Sequence, residues 1–362
     1  MYALFCDKMI DANANILLIY TGGTIGMVEN SQTGSLEAFD FSHLNKHMPE
    51  LQRLKFHIDT IVFNPAIDSS DVSPMHWRKL VSIIEDNYEN HDGFVILHGT
   101  DTMAYTASAL SFMIENLKKP VVFTGAQLPI GKLRTDAKEN LITAMEIAAD
   151  KDSIGNPIVP EVCIFFQNDL LRGNRATKVN ADNFNAFKTY NYPSLGKAGI
   201  HIRYDKNRIF QPNFEKKTIF HYMMDGNIVI LKLFPGINKT TIEAILETKG
   251  IKAVILETYG SGNAPREEWF LEAIQEAVKK GIIIVNVTQC EIGGVEMRRY
   301  ETGQELLKVG VISGYDSTVE AMVAKLMFLL GHNYSREEII VRMRVPLVGE
   351  ITRPDEKGIR EL

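Results

Sequence analysis

Four short stretches carry the side chains that could do chemistry. "YTGGTIGM" (20–27) holds Thr21 and Thr24 around a glycine pair, and "HGTDT" (98–102) holds Thr100 and Asp101. "RGNRATKVNADNFNAF" (172–187) holds Lys178, and "DSSD" (68–71) holds Asp68, Ser69 and Ser70. A hydroxyl is a weak nucleophile until a neighbour takes its proton. A lysine held near Asp101 and away from bulk water could share or shed a proton and act as that base. Asp68 could recognise an ammonium group, with serine hydroxyls and nearby N–H groups taking a matching carboxylate.

Each stretch also has a plainer reading. Gly22 and Gly23 could only permit a tight bend. A phosphate-cradling turn is the weaker functional reading, because GGTIG lacks the GxGxxG spacing and no GxxxxGK[ST] is present. The residues after Gly26, with Asn30, Ser31 and Gly34, predict a hairpin or flap rather than a crossover helix. Asp101 could be a helix cap. Arg172, Arg175 and Lys178 could form an exposed basic face. Asp71 or Ser73 before Pro74 could cap the next helix. His98 adjoins the second threonine motif, but strand neighbours face opposite ways, so it is expected in the core or behind the site.

The elements that must position these residues are continuous apolar runs at 16–20, 94–99, 120–125, 162–166, 228–234, 253–259 and 282–288. Such runs fit strands covered on both faces. Helical patterns alternate with them at roughly 74–88, 102–117, 136–149, 239–249, 265–279 and 316–331. The fold class is therefore α/β with parallel sheets, Rossmann-like and doubly wound. Ligands bind such sheets beyond the carboxyl ends of the strands, where Thr21–Gly26, Thr100–Thr102 and Ala126–Gln127 all fall. The regular alternation fails over about 200–227. The expected organisation is an N-terminal domain at 1–203, a linker at 204–225 and a C-terminal domain at 226–362.

The chain has 362 residues and a net charge of −6, which argues against a nucleic-acid partner. Three dispersed cysteines exclude a disulfide framework or zinc ribbon; Cys163 reads as core, and Cys290, which follows a strand and could line a site, reads first as a buried thiol at the strand end. The N-terminus lacks the features of a secretory signal, and no apolar run reaches membrane-spanning length. The expected setting is a reducing cytoplasm, with no membrane partner.

Taken together with "TGAQLP", "YGSGNAP" and "VNVTQC", the motifs resemble the bacterial-type L-asparaginases, specifically their cytoplasmic type I branch, over nearly the whole chain. The resemblance implies two domains, each with a mainly parallel sheet flanked by helices, the N-terminal one larger. It implies hydrolysis of L-asparagine to L-aspartate and ammonia with no metal or cofactor. Thr24 matches the attacking threonine, and Thr100, Asp101 and Lys178 match the second catalytic set. Asp68 and Ser69 match substrate binders, with Ser70 beside them and Gln127 and Tyr300 as further candidates. Asn263 matches a residue that reaches a neighbouring subunit's site, in an assembly of dimers or dimers of dimers. Ser35 stands where relatives carry a flap tyrosine, a role for which Tyr300 is the candidate. Thr177 and Cys290 match parts of an allosteric asparagine site, but Glu257 replaces a basic residue there and would repel the ligand carboxylate. The neighbouring readings are a glutaminase-asparaginase, the amidase partner of a tRNA amidotransferase, and a non-catalytic sensor.

Overall fold

The computed structural model describes residues 9–10, 14–29, 36–38 and 48–352. The chain divides into two compact units, Met1–Tyr222 and Met223–Leu362.

The first unit is built on β1 (Asn15–Tyr20), β2 (Met27–Glu29), β3 (Leu36–Ala38), β4 (His57–Val62), β5 (Gly93–Leu97), β6 (Val121–Thr124), β7 (Val162–Phe166) and β8 (Asp169–Arg172). The short strands β9 (Thr177–Lys178), β10 (Phe187–Lys188), β11 (Gly196–Lys197) and β12 (Arg203–Tyr204) follow. One eight-stranded sheet runs in the order β12-β11-β8-β7-β6-β5-β1-β4. Its five strands from β7 to β4 are parallel, and the other three continue it antiparallel. Ile16 to Tyr20 of β1 are at most 2% exposed, because helices cover both faces. Burying each such side chain is worth about 1.5–3 kcal/mol.

Register explains why the motifs meet. Tyr20 pairs with Leu97 and Val62, and Leu97 pairs with Thr124. The carboxyl ends of β4, β1, β5 and β6 therefore stand in a row, and the four chains leave the sheet side by side. The helices that return the chain are α1 (Pro74–Asp86), α2 (Met103–Met113) and α3 (Ala137–Ala149). Ser73 is the N-cap of α1 with Pro74 at the first position, and Trp77, Leu80, Val81 and Ile84 form its buried face. Helix α2 is buried almost all round, which its small residues Ala104, Ala107, Ser108 and Ala109 permit.

The stretch expected as a linker is largely part of the first unit. Arg203–Tyr204 forms the sheet edge, and Phe220 pairs with Ile114. Most of the segment is loop and turn, and the boundary between the two units falls within it, after Tyr222.

The second unit has one parallel sheet in the order β13 (Ile228–Lys232), β14 (Ala253–Thr258), β15 (Ile283–Thr288), β16 (Ile312–Ser313). Its helices are α4 (Lys239–Leu246), α5 (Glu268–Lys279), α6 (Glu301–Lys308), α7 (Val319–Gly331) and α8 (Arg336–Met343). Phe270, Ile274 and Ala277 of α5 pack with Val254, Leu256 and Ile284 of the sheet in one core. Among the described residues, no helix is long and apolar enough to cross a membrane.

Candidate active site

The turn after β1 is held by its neighbours, β5 and the loop after β4. Thr21 N–H and Oγ1 both donate to Leu97 O, each at 3.0 Å, and Ile67 N–H donates to Thr21 O at 2.8 Å. Gly22 and Gly23 have φ of 140° and 91°. A Cβ on Gly22 would lie 2.0 Å from Ile67 O, and one on Gly23 would lie 2.5 Å from Gly99 Cα. Only glycine lets the three loops close on each other here. Thr24 then opens a 3-10 turn, Thr24–Gly26, half-buried beside its neighbours. Tyr20 Oη donates to Gly26 O at 3.3 Å, and burial pushes its phenol up to about 12, so it stays a neutral strut. Among the described residues, the Thr24 hydroxyl has no hydrogen-bond partner and is available to a ligand. Strands β2 and β3 pair antiparallel beyond the turn, as expected of a flap. Ser35, where a flap tyrosine was sought, lies outside the described residues.

The turn after β5 brings the second threonine motif alongside. Lys178 Nζ donates to Thr100 Oγ1 at 2.9 Å and to Asp101 Oδ1 at 2.6 Å. The Thr100 hydroxyl proton points to Gln127 Oε1 at 3.3 Å, and Gln127 Nε2 donates to Asn183 O at 3.1 Å. Lys178 stands on β9, which pairs with β10 through Lys178 and Phe187, so a small hairpin carries the ammonium to the sheet's carboxyl edge. Asp101 is not the cap of α2. Thr102 holds that position, and its Oγ1 donates to Ser69 O at 2.6 Å. The basic-face reading fails as well: Arg172 is buried against Glu161 at 2.7 Å, and Arg175 is buried.

The loop after β4 completes the cluster. Asp68 Oδ1 accepts from Ser70 N–H at 2.9 Å and Ser70 Oγ at 2.8 Å, and these bonds hold its carboxyl below the usual range. Ser69 is buried, its Oγ 2.5 Å from where a Cβ on Gly99 would sit. An anionic Asp68 follows β4 and Thr100 follows β5, the two strands that flank β1, and the β9–β10 hairpin brings Lys178 to Thr100.

Sequence reasoning missed several supports. Asp136 accepts from the N–H groups of Gln127 and Leu128 and fixes the β6 turn. Behind Gly99, His98 Nδ1 lies 2.7 Å from Gly99 O, which can only accept, so Nδ1 carries the proton. His98 Nε2 then accepts from Thr106 Oγ1 at 3.0 Å, which accepts from Trp77 Nε1 at 3.1 Å. Burial lowers the His98 pKa to about 4, so it is a neutral histidine behind the site, as its position on the strand implied. No pattern in the sequence marks Thr106 or Trp77 as its partners.

Asn263 and Tyr300 belong to the second unit. Asn263 Oδ1 accepts from Thr302 Oγ1 at 2.9 Å, and Tyr300 is an exposed N-cap of α6 beside Arg299. Cys290 is exposed rather than buried, because its chain has already left β15. Among the described residues, no group of His, Cys, Asp and Glu is arranged to hold a metal ion.

Comparison with known proteins accords with this arrangement. The family model "Asparaginase, N-terminal" matches residues 15–210, and "Glutaminase/Asparaginase C-terminal domain" matches residues 227–343. The chain belongs to the asparaginase family. It is similar to L-asparaginase 1 of Escherichia coli K12, 45% identical over 94% of this chain and 99% of that one. The asparaginase fold seen here is also that of the crystal structure of L-asparaginase I from Vibrio cholerae, with a TM-score of 0.85 and 40% identity over 94% of this chain and all of that one. The thermostable L-asparaginase from Thermococcus kodakarensis superposes with a TM-score of 0.84 and 33% identity, over 94% of this chain and 99% of that one.

Proposed function

We propose that this asparaginase-family chain hydrolyses L-asparagine to L-aspartate and ammonia through a threonine-linked acyl-enzyme. The observation that carries the reading is the Lys178 ammonium bridging Thr100 Oγ1 and Asp101 Oδ1 beside the Thr24 turn. A pure amino-acid sensor has no use for two threonines and a lysine–carboxylate pair in one cluster. The relatives named L-asparaginase, matched over 94% of this chain and nearly all of theirs, support the substrate.

The steps balance. Thr24 Oγ attacks the side-chain amide carbon, and its proton leaves on the departing ammonia. Water then attacks the ester, returns the proton to Thr24 and releases aspartate. Splitting the reaction this way replaces one hard step with two easier ones. N–H groups of the first turn would stabilise the oxyanion, a contribution of about 3–4 kcal/mol per donor, and the Thr100 hydroxyl would join them only on turning its proton away from Gln127. Lys178 is a donor to both partners at rest, so it orients Thr100 first and takes part in proton transfer only when the substrate displaces these bonds. Asp68 binds the substrate ammonium, and Ser69 and Ser70 bind its carboxylate. Gln127 keeps the Thr100 hydroxyl aimed. Tyr300 and Asn263 complete the site from a second subunit in a homodimer or homotetramer. Glu257, whose carboxylate lies 3.5 Å from Lys232 Nζ, disfavours a second asparagine site. The setting is cytoplasmic.

The test is ammonia release from asparagine against glutamine, with peptide mapping of the trapped acyl group. Ammonia from asparagine and an adduct on Thr24 support the reading. An adduct on Thr100 reassigns the nucleophile, and binding without ammonia release makes the chain a sensor.

A further inference from the structure

The second unit carries a cavity of about 880 Å³ alongside β16, lined by Val311, Ile312 and Ser313 of that strand and its approach and by the Val295–Arg299 segment. That volume suits a ligand of nucleotide size. Leu307, Val311 and Ile312 supply apolar wall. Arg298, Arg299 and Arg344 line the same space. Its two acids are engaged: Glu296 lies 3.7 Å from Arg299, and Asp316 Oδ1 accepts from Thr352 N–H at 2.7 Å. Among the described residues, the guanidinium groups of Arg298 and Arg344 have no hydrogen-bond or ion-pair partner. Two exposed guanidinium forks lining one cavity, neither paired with an acid, suit a ligand with two negative charges.

The backbone adds an independent sign. Tyr315, which also lines the cavity, has φ of +54°, a conformation that bulky residues rarely adopt. It is held there by Val295 N–H donating to Tyr315 O at 2.8 Å and by Ser313 Oγ accepting from Tyr315 N–H at 3.1 Å. Gly294 packs so closely that an added Cβ would lie 2.8 Å from Tyr315 O. Strain maintained by this many contacts is typical of binding sites.

We propose that this cavity binds a small dianion with an apolar body, a phosphomonoester or a dicarboxylate, gripped by Arg298 and Arg344. The site shares no residue with the threonine–lysine cluster and does not depend on the proposed reaction.

The test is titration calorimetry of the full chain with adenosine 5′-monophosphate and, separately, with glutarate. The expected result is one saturable site for at least one probe, weakened about tenfold or more by Arg298→Ala or Arg344→Ala, as the loss of a charge-assisted contact requires. Arg298→Gln, which keeps most of the stem, is the second variant should the alanine form fold poorly. Binding of the nucleotide alone assigns a phosphomonoester, and binding of glutarate alone a dicarboxylate. Absence of saturable binding by both probes, or binding that every arginine substitution leaves unchanged, overturns the proposal.

Discussion

Lys178 and Thr100, 78 positions apart in the chain, meet with Nζ 2.9 Å from Oγ1. The same ammonium reaches Asp101, whose side chain is 65% exposed. A pair this open to water contributes only ~0–1 kcal/mol to stability. Its geometry matters to chemistry more than to folding. Lys178→Met should therefore lower kcat for ammonia release by about 10²–10⁴, the range for loss of a proton-transfer group, while the melting temperature barely moves. Stopped assays and a melting curve on the same preparation check this. An unchanged kcat would remove Lys178 from the mechanism.

The glycines make a second prediction. Gly23 and Gly155 have nearly the same φ, 91° and 88°, but Gly23 faces the Gly99 backbone while Gly155 has nothing within 4 Å of an added Cβ. Alanine at either position incurs the ~1–3 kcal/mol of an unfavourable backbone conformation. At Gly23 it must also push apart the β1 and β5 turns. Urea unfolding should show a larger loss for Gly23→Ala than for Gly155→Ala, and only the former should abolish turnover. Equal losses would mean that the close approach is not energetically important.

What the sequence made legible follows the same physics. Strands buried on both faces were read from their continuous apolar runs, and the site residues from their places just beyond those strands. Strands β11 and β12, two residues each, carry no pattern to read, and the polar stretch from 204 onward reads as a linker. Helices α6 and α8 are short and largely polar, so no helical pattern was recognised at 301–308 or 336–343. Spacing alone could not bring Lys178 to Asp101, because a hairpin 77 residues downstream does that. The resemblance supplied the pairing that local reasoning left open.

A third prediction concerns the second unit. Lys325 and Glu350 are both fully buried, 2.6 Å apart. Lys325 also donates to Met343 O and Val345 O, while Glu350 accepts from the N–H groups of Leu347 and Val348. Lys325→Met leaves a buried carboxylate without its cation and should cost about 3–5 kcal/mol. Adding Glu350→Gln removes that charge and keeps an acceptor for the two N–H groups, so the double variant should recover part of the loss. Chemical unfolding of the single and double variants measures the coupling. A double variant less stable than Lys325→Met alone would refute the account.

The last prediction uses His98. Its folded pKa of about 4 lies below the ordinary value of about 6.5, because burial disfavours the charged ring. Between these values the unfolded chain binds a proton that the folded chain cannot. Stability is therefore fully present above about pH 6.5, falls as the pH drops through the window, and stops falling on this account below about pH 4. A shift of this size corresponds to roughly 3 kcal/mol. Carboxylates titrate near the lower end, so the readout is the difference between two proteins. His98→Gln should show a shallower fall in unfolding free energy between pH 6.5 and 4 than the parent chain. Its absolute stability at pH 7 should drop through the lost bonds to Gly99 and Thr106. Parallel pH profiles for the two would show that His98 does not resist protonation in the folded state.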